Sequence, residues 1–177
     1  MKSPNIISLS RIVILFGHVA FAKHLPPGIN IAIVFFNYLL DVVDGIVSRR
    51  YGGTEYGEFM DISVDRIITL GYFSYHLFMQ HLHVIFFLLI LTRNIKVDYI
   101  SYFYMIESKK KERHKMTKGL SYWIYTSRAS RIINGFLQMT IISWGFVSVV
   151  PLWLQILFLL NSYIRALPSI NKARSLV

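Results

Sequence analysis

The chain has 177 residues, 54% of them hydrophobic and only 16% charged, with a mean hydropathy of +0.48. Soluble domains carry about a quarter charged residues, so this composition argues against an ordinary soluble protein and for one membrane-embedded, all-α domain over residues 1–177. There is no cysteine, which removes disulfide and thiolate chemistry, and the net charge of +10 is scattered between apolar runs, as in membrane loops facing anionic headgroups or phosphates rather than nucleic acid.

In chain order, six apolar stretches stand out, at roughly 6–22, 29–47, 59–79, 82–92, 132–149 and 152–167. A spanning helix needs about 17–25 residues. The first run follows a single Lys without a small-residue cleavage signal and is expected to be a retained helix. The fourth reaches spanning length only if it extends from His81 through Val97. Between the runs lie Lys23-His24-Leu25-Pro26-Pro27-Gly28, the polar corner Gln80 to His83, and Val150-Pro151, all readable as connections. One long polar segment, about 96–128, mixes tyrosines with lysines and suits either a headgroup region or a solvated extension of two helices.

With six spans and a cytoplasmic amino terminus, eighteen of the nineteen Lys and Arg residues face the cytoplasm and only Lys23 lies outside. That is the bias of the positive-inside rule. Five spans would divide the basic residues between the two sides.

The acidic residues are the other signal. Only nine occur, and four of them, Asp41, Asp44, Asp61 and Asp65, fall within 25 residues at the junction of the second and third runs. Spacings of three and four put each pair on one helical face, with a reversal containing Gly52 and Gly53 between them. Ionisable residues inside apolar spans mark function by default. Four clustered carboxylates repel unless something positive sits among them, and Arg66 and Arg49 are the nearby cations. An all-oxygen, carboxylate-rich set suits Mg²⁺, Mn²⁺ or Ca²⁺, and the spacing does not fit an EF-hand loop.

At these residues the sequence resembles the CDP-alcohol phosphotransferases, whose signature runs D-x2-D-G-x2-A-R-x8-G-x3-D-x3-D. Asp41, Asp44, Gly45, Arg49, Gly57, Asp61 and Asp65 fall in that order. Ser48 replaces the usual Ala, and seven residues rather than eight separate Arg49 from Gly57. Ser3-Pro4-Asn5 and the residues through Arg11 resemble the usual opening of the family, in which a short interfacial helix often precedes the first span.

The resemblance implies transfer of a phosphate-containing group from a CDP-linked donor to an alcohol, with release of CMP. It implies two divalent ions, Mg²⁺ or Mn²⁺, which at about 4 Å apart bind a diphosphate and stabilise the leaving group. By the same resemblance Asp41, Asp44, Asp61 and Asp65 form the metal set, Asp65 is the general base, and Asp41, Gly45, Arg49 and Gly57 bind the cytidine nucleotide. Arg93, Lys115 and Lys118 are candidates for acceptor binding, in the manner of phosphatidylglycerophosphate or phosphatidylinositol phosphate synthase-like members.

The expected protein is therefore a six-helix membrane transferase of phospholipid biosynthesis. It moves a phosphatidyl group from CDP-diacylglycerol to a small polar alcohol such as glycerol 3-phosphate. It is expected to be a homodimer in the cell (inner) membrane with its active site facing the cytoplasm. Three rival readings remain at this stage. One is a CDP-choline or CDP-ethanolamine-type enzyme acting on a lipid alcohol. Another is a transporter or channel, which would need carboxylates across the membrane depth. The third is a non-catalytic scaffold.

Overall fold

The computed structural model describes residues 3–51, 55–108, 124 and 127–174. The described residues form six long helices and no strand. They are α1 (Ser3–Phe21), α2 (Pro27–Tyr51), α3 (Glu55–Phe78), α4 (Val84–Ser108), α5 (Arg128–Gly145) and α6 (Leu152–Arg174). A 3-10 turn, Ala22–His24, follows α1.

Two expected boundaries change. Helix α4 runs on to Ser108 instead of stopping near residue 92, so the first part of the polar segment continues a helix rather than starting a loop. Helix α1 is continuous from Ser3, so Ser3-Pro4-Asn5 belong to it and form no separate interfacial element.

By its internal packing the chain divides into two compact units. The first is Met1–Leu82 with Met139–Val150, and the second is His83–Gln138 with Pro151–Val177. In the first unit α1 packs along both α2 and α3. The α1–α3 approach is close: a Cβ built on Gly71 would lie 2.7 Å from Leu15 Cδ2. Small residues let helices touch in this way. Leu15, Val34, Val64, Ile68, Tyr72 and Phe73 fill the core between these helices.

The connection from α1 to α2 is held by side chains. Pro27 opens α2, where a missing N–H costs nothing. Asn30 Nδ2 donates to the carbonyls of Ala22 (3.0 Å) and Leu25 (3.2 Å). His18 Nε2 donates to Asn30 Oδ1 (2.8 Å), which leaves its Nδ1 to accept from Tyr72 Oη (3.0 Å). The three helices are thereby tied together about two turns along α1 from Arg11.

Helix α3 ends in a Schellman-type cap. The N–H of His81 reaches the carbonyl of His76 (2.8 Å), and that of Gln80 reaches Leu77 (3.0 Å). Gln80 takes the left-handed φ of 60° that this cap requires. His81 Nδ1 donates to the carbonyl of Gly145 (2.6 Å), where α5 ends.

Gly145 has a packing role as well. A Cβ there would lie 2.7 Å from Cε1 and Nδ1 of His76 and 2.8 Å from its Cγ. The His76 ring is fully buried and held edge-on by Phe146 at 4.6 Å, so it has little room to move. Gly145→Ala is expected to cost about 1–3 kcal/mol through overpacking. The check is the thermal unfolding midpoint in detergent, expected to fall by several degrees; an unchanged midpoint would show that the ring can yield.

The second unit is built on α4 packed against α6. Phe86 and Phe158 meet at 6.1 Å in a core that includes Ile90, Val97, Leu154 and Ala166. Tyr163 Oη donates to the carbonyl of Leu89 (3.1 Å). Asn161 Nδ2 donates to Asn134 Oδ1 (3.0 Å), joining α6 to α5. Ser127 is the N-cap of α5, its Oγ accepting from the N–H of Ser130 (3.1 Å).

Large apolar side chains stand exposed on every helix, among them Phe16, Phe36, Phe78, Ile85, Phe136 and Trp153. Water penalises such surfaces and hydrocarbon does not. Two stretches, Ile6–His24 and Pro27–Val47, are long and apolar enough to cross a membrane. Charges dilute the apolar character of α3 and α4: Asp61, Asp65 and Arg66 in the one, Arg93, Lys96 and Asp98 in the other.

Candidate active site

The site lies in the first unit and is built from α1, α2 and α3. Helical periodicity sets its parts in register. Ser8 and Arg11 are three apart on α1, Asn37, Asp41 and Asp44 are spaced by four and three on α2, and Asp61 and Asp65 are four apart on α3. Each set occupies one face.

Three of the four aspartates converge. One carboxylate oxygen from each of Asp41, Asp61 and Asp65 lies within 4.8 Å of the others. Arg11 holds them together. Its Nη1 donates to Asp41 Oδ1 at 2.7 Å and lies 3.8 Å from Asp61 Oδ1, while Nη2 donates to Asp65 Oδ1 at 2.9 Å. Only 3% of the Arg11 side chain is exposed, against 37% for Asp41 and 48% for Asp61 and Asp65. The guanidinium is therefore the buried floor, and the carboxylates open outward from it.

Asn37 fixes Arg11 from behind. Arg11 Nε donates to Asn37 Oδ1 (3.4 Å), and Asn37 Nδ2 donates to the Arg11 carbonyl (3.1 Å). Thr69 Oγ1 donates to the Asp65 carbonyl (2.7 Å).

Asp44 stands apart from the other three. It is buried, its Oδ2 accepts from Ser8 Oγ, and its Oδ1 has no hydrogen-bonding partner among the described residues. A buried carboxylate oxygen left in this way is costly unless a cation or another donor reaches it.

Arg66 and Arg49 are the cations nearest in sequence; the charge that the structure places among the carboxylates is Arg11, 30 residues before Asp41. Its signal was available. Arg11 is an ionisable residue in the first apolar run, the criterion that singled out the aspartates. Ser8 and Asn37 were also missed; each is an ordinary polar residue in a helix, with nothing in its spacing to mark it.

Among the other expected site residues, Gly45 and Arg49 lie in α2, and Gly57 lies in the first turn of α3. Arg93 belongs to the second unit. Its Nε donates to the carbonyl of Ser162 (3.1 Å) and its Nη1 to Asn94 Oδ1 (3.0 Å), so part of its donor capacity ties α4 to α6. Lys115 and Lys118 lie outside the described residues, as do the turn glycines Gly52 and Gly53.

Converging carboxylate oxygens are the hard donor set that Mg²⁺ and Mn²⁺ take, and such an ion suits a site that handles phosphate. The CDP-alcohol phosphatidyltransferase family model matches residues 1–164 of this chain. The chain belongs to that family. Members of the CDP-alcohol phosphatidyltransferase family are transferases of substituted phosphate groups. They pass a phosphatidyl group from a CDP-linked donor to an alcohol and use divalent metal ions. Family membership and the two apolar helices together point to a membrane protein of phospholipid biosynthesis. No curated protein and no solved structure matches the chain.

Proposed function

We propose that this transferase moves the phosphatidyl group of CDP-diacylglycerol to a small polar alcohol, with glycerol 3-phosphate the favoured acceptor, and releases CMP. The observation that carries the reading is the convergence of the Asp41, Asp61 and Asp65 carboxylates on the outward side of a buried guanidinium. An array with that much negative charge has no stabilising role in an apolar helix bundle, yet it suits a cation-dependent site for a diphosphate.

Asp41, Asp44, Asp61 and Asp65 are the residues that would hold the divalent ions, one pair from α2 and one from α3. Bound there, Mg²⁺ or Mn²⁺ supplies charge neutralisation for the donor diphosphate and for the phosphate that leaves. Gly45 and Gly57 leave room for the cytidine nucleotide, and Arg49 takes a phosphate of the donor by its planar fork. Asp65 accepts the proton of the acceptor hydroxyl. The acceptor oxygen then forms a bond to the phosphatidyl phosphorus, the bond from that phosphorus to the CMP oxygen breaks, and CMP departs with the electron pair. Arg93, Lys115 and Lys118 attract a phosphorylated acceptor.

In this reading residues 1–177 are one domain with six spans, its aspartates face the cytoplasm of a cell (inner) membrane, and two copies form a homodimer. The exposed apolar residues on all six helices support embedding beyond the two most apolar stretches. The bias of Lys and Arg supports the orientation.

The test is product identification by mass spectrometry. Purified protein in detergent is given CDP-diacylglycerol, Mg²⁺ or Mn²⁺ and a panel of alcohols that includes glycerol 3-phosphate. A phosphatidyl ester of one acceptor, formed together with CMP, is the expected result. Transfer of a headgroup from CDP-choline or CDP-ethanolamine to diacylglycerol, with no product from CDP-diacylglycerol, would reverse the assignment of donor and acceptor.

A further inference from the structure

We infer that Arg11 is the built-in counter-cation of the site: it stabilises the metal-free carboxylates and, by doing so, weakens their hold on the divalent ion. The inference rests on reading Asp41, Asp61 and Asp65 as a divalent-cation site. The charge balance motivates it. Among the described residues the Arg11 guanidinium faces three converging carboxylates, Asp41, Asp61 and Asp65, where α1, α2 and α3 meet. Without Arg11 these carboxylates lose the cation set between them, in a bundle whose low dielectric magnifies repulsion.

The geometry suits this role. Arg11 reaches Oδ1 of carboxylates on two different helices, Asp41 of α2 and Asp65 of α3, at 2.7 and 2.9 Å. It therefore joins α2 to α3 through α1, where like charges would otherwise drive them apart. It is 3% exposed and held by Asn37 on both its Nε and its own carbonyl, so it stays in place when a cation arrives from the open side. A resident positive charge beside an incoming one lowers the affinity for it. Arg11 thus stabilises the metal-free state more than the loaded state, which keeps the helices in register while the site exchanges ions.

The experiment compares the wild-type chain with Arg11→Met and Arg11→Lys, all purified in detergent. Two quantities are read: Mn²⁺ affinity from the free-ion EPR signal, and the thermal midpoint with EDTA and with saturating Mn²⁺. Arg11→Met is expected to bind Mn²⁺ more tightly, on the order of tenfold or more. It is also expected to unfold at a lower temperature in EDTA and to recover most of that loss in Mn²⁺. Arg11→Lys, which keeps the charge without the fork, should lie between Arg11→Met and wild type on both readouts, and it carries the test alone if Arg11→Met does not fold.

Weaker or unchanged Mn²⁺ binding in the variants would overturn the inference. An equal loss of stability with and without Mn²⁺ would overturn it too, since that is the signature of a merely structural arginine. Failure of the wild type and both variants to bind Mn²⁺ would overturn the cation-site reading itself, and the inference with it. Binding by the wild type with no change in the variants would remove only the role of Arg11.

Discussion

Asp65→Asn is expected to lower CMP release by about 10²–10⁴-fold, the range that a general base contributes, while Mn²⁺ binding falls far less. The amide has nearly the same shape as the carboxylate and keeps an oxygen for the Arg11 Nη2 contact, now 2.9 Å from Asp65 Oδ1. It cannot accept the proton of an acceptor hydroxyl. The amide oxygen and Asp41, Asp44 and Asp61 remain as ion donors, so the variant loses proton transfer more than ion binding. The two measurements are CMP release under saturating Mn²⁺ and Mn²⁺ affinity by EPR. If both fell together, and excess Mn²⁺ restored the rate, Asp65 would serve as a ligand alone and the base would lie elsewhere.

Asp61→Asn is expected to give the opposite pattern: lost ion binding in a chain that still folds. Asp61 is the most distant of the three carboxylates from Arg11, 3.8 Å against 2.7 and 2.9 Å. Its substitution leaves the two shorter ion pairs intact and relieves some repulsion among the aspartates. The thermal midpoint in EDTA checks that the variant folds. A divalent ion supplies several kcal/mol of charge stabilisation in phosphoryl transfer, so CMP release should drop below ~1% of wild type. A wild-type rate in this variant, with a folded protein, would remove Asp61 from the ion site.

Much of the molecule was legible in the sequence because two periodicities coincide there. Apolar runs gave the six helices of the described residues in their correct order, with α1, α2, α4 and α6 starting closest to their expected positions and α3 and α5 starting about one turn earlier. The end of α4 was not legible, because hydropathy reports where a helix leaves an apolar environment and not where its backbone hydrogen bonds stop. Arg93 ends the apolar run, and Lys96 and Asp98 follow, while the helix continues to Ser108.

At the site, the i, i+3 and i, i+4 spacings placed each aspartate pair on one face, and the structure brings Asp41, Asp61 and Asp65 together. Spacing within a helix cannot say what a third helix inserts between two faces. That is why Arg11, carried by α1, was out of view. Asp44 shares a helical face with Asp41, yet it points to Ser8. Periodicity assigns a face over a full turn, and the choice between a converging carboxylate and a hydroxyl-bonded one depends on neighbours that only packing supplies.

The most direct measurement is CMP release from CDP-diacylglycerol by the purified wild-type chain, with the acceptor panel, in the presence of Mg²⁺ or Mn²⁺ and then of EDTA. Release that requires both an acceptor and a divalent ion, stops in EDTA and returns when the ion is restored is the predicted result. Release that continues unchanged in EDTA would contradict the carboxylate site as the seat of catalysis. Absence of release with every acceptor, from a protein shown to be folded, would contradict the proposed CDP-diacylglycerol reaction.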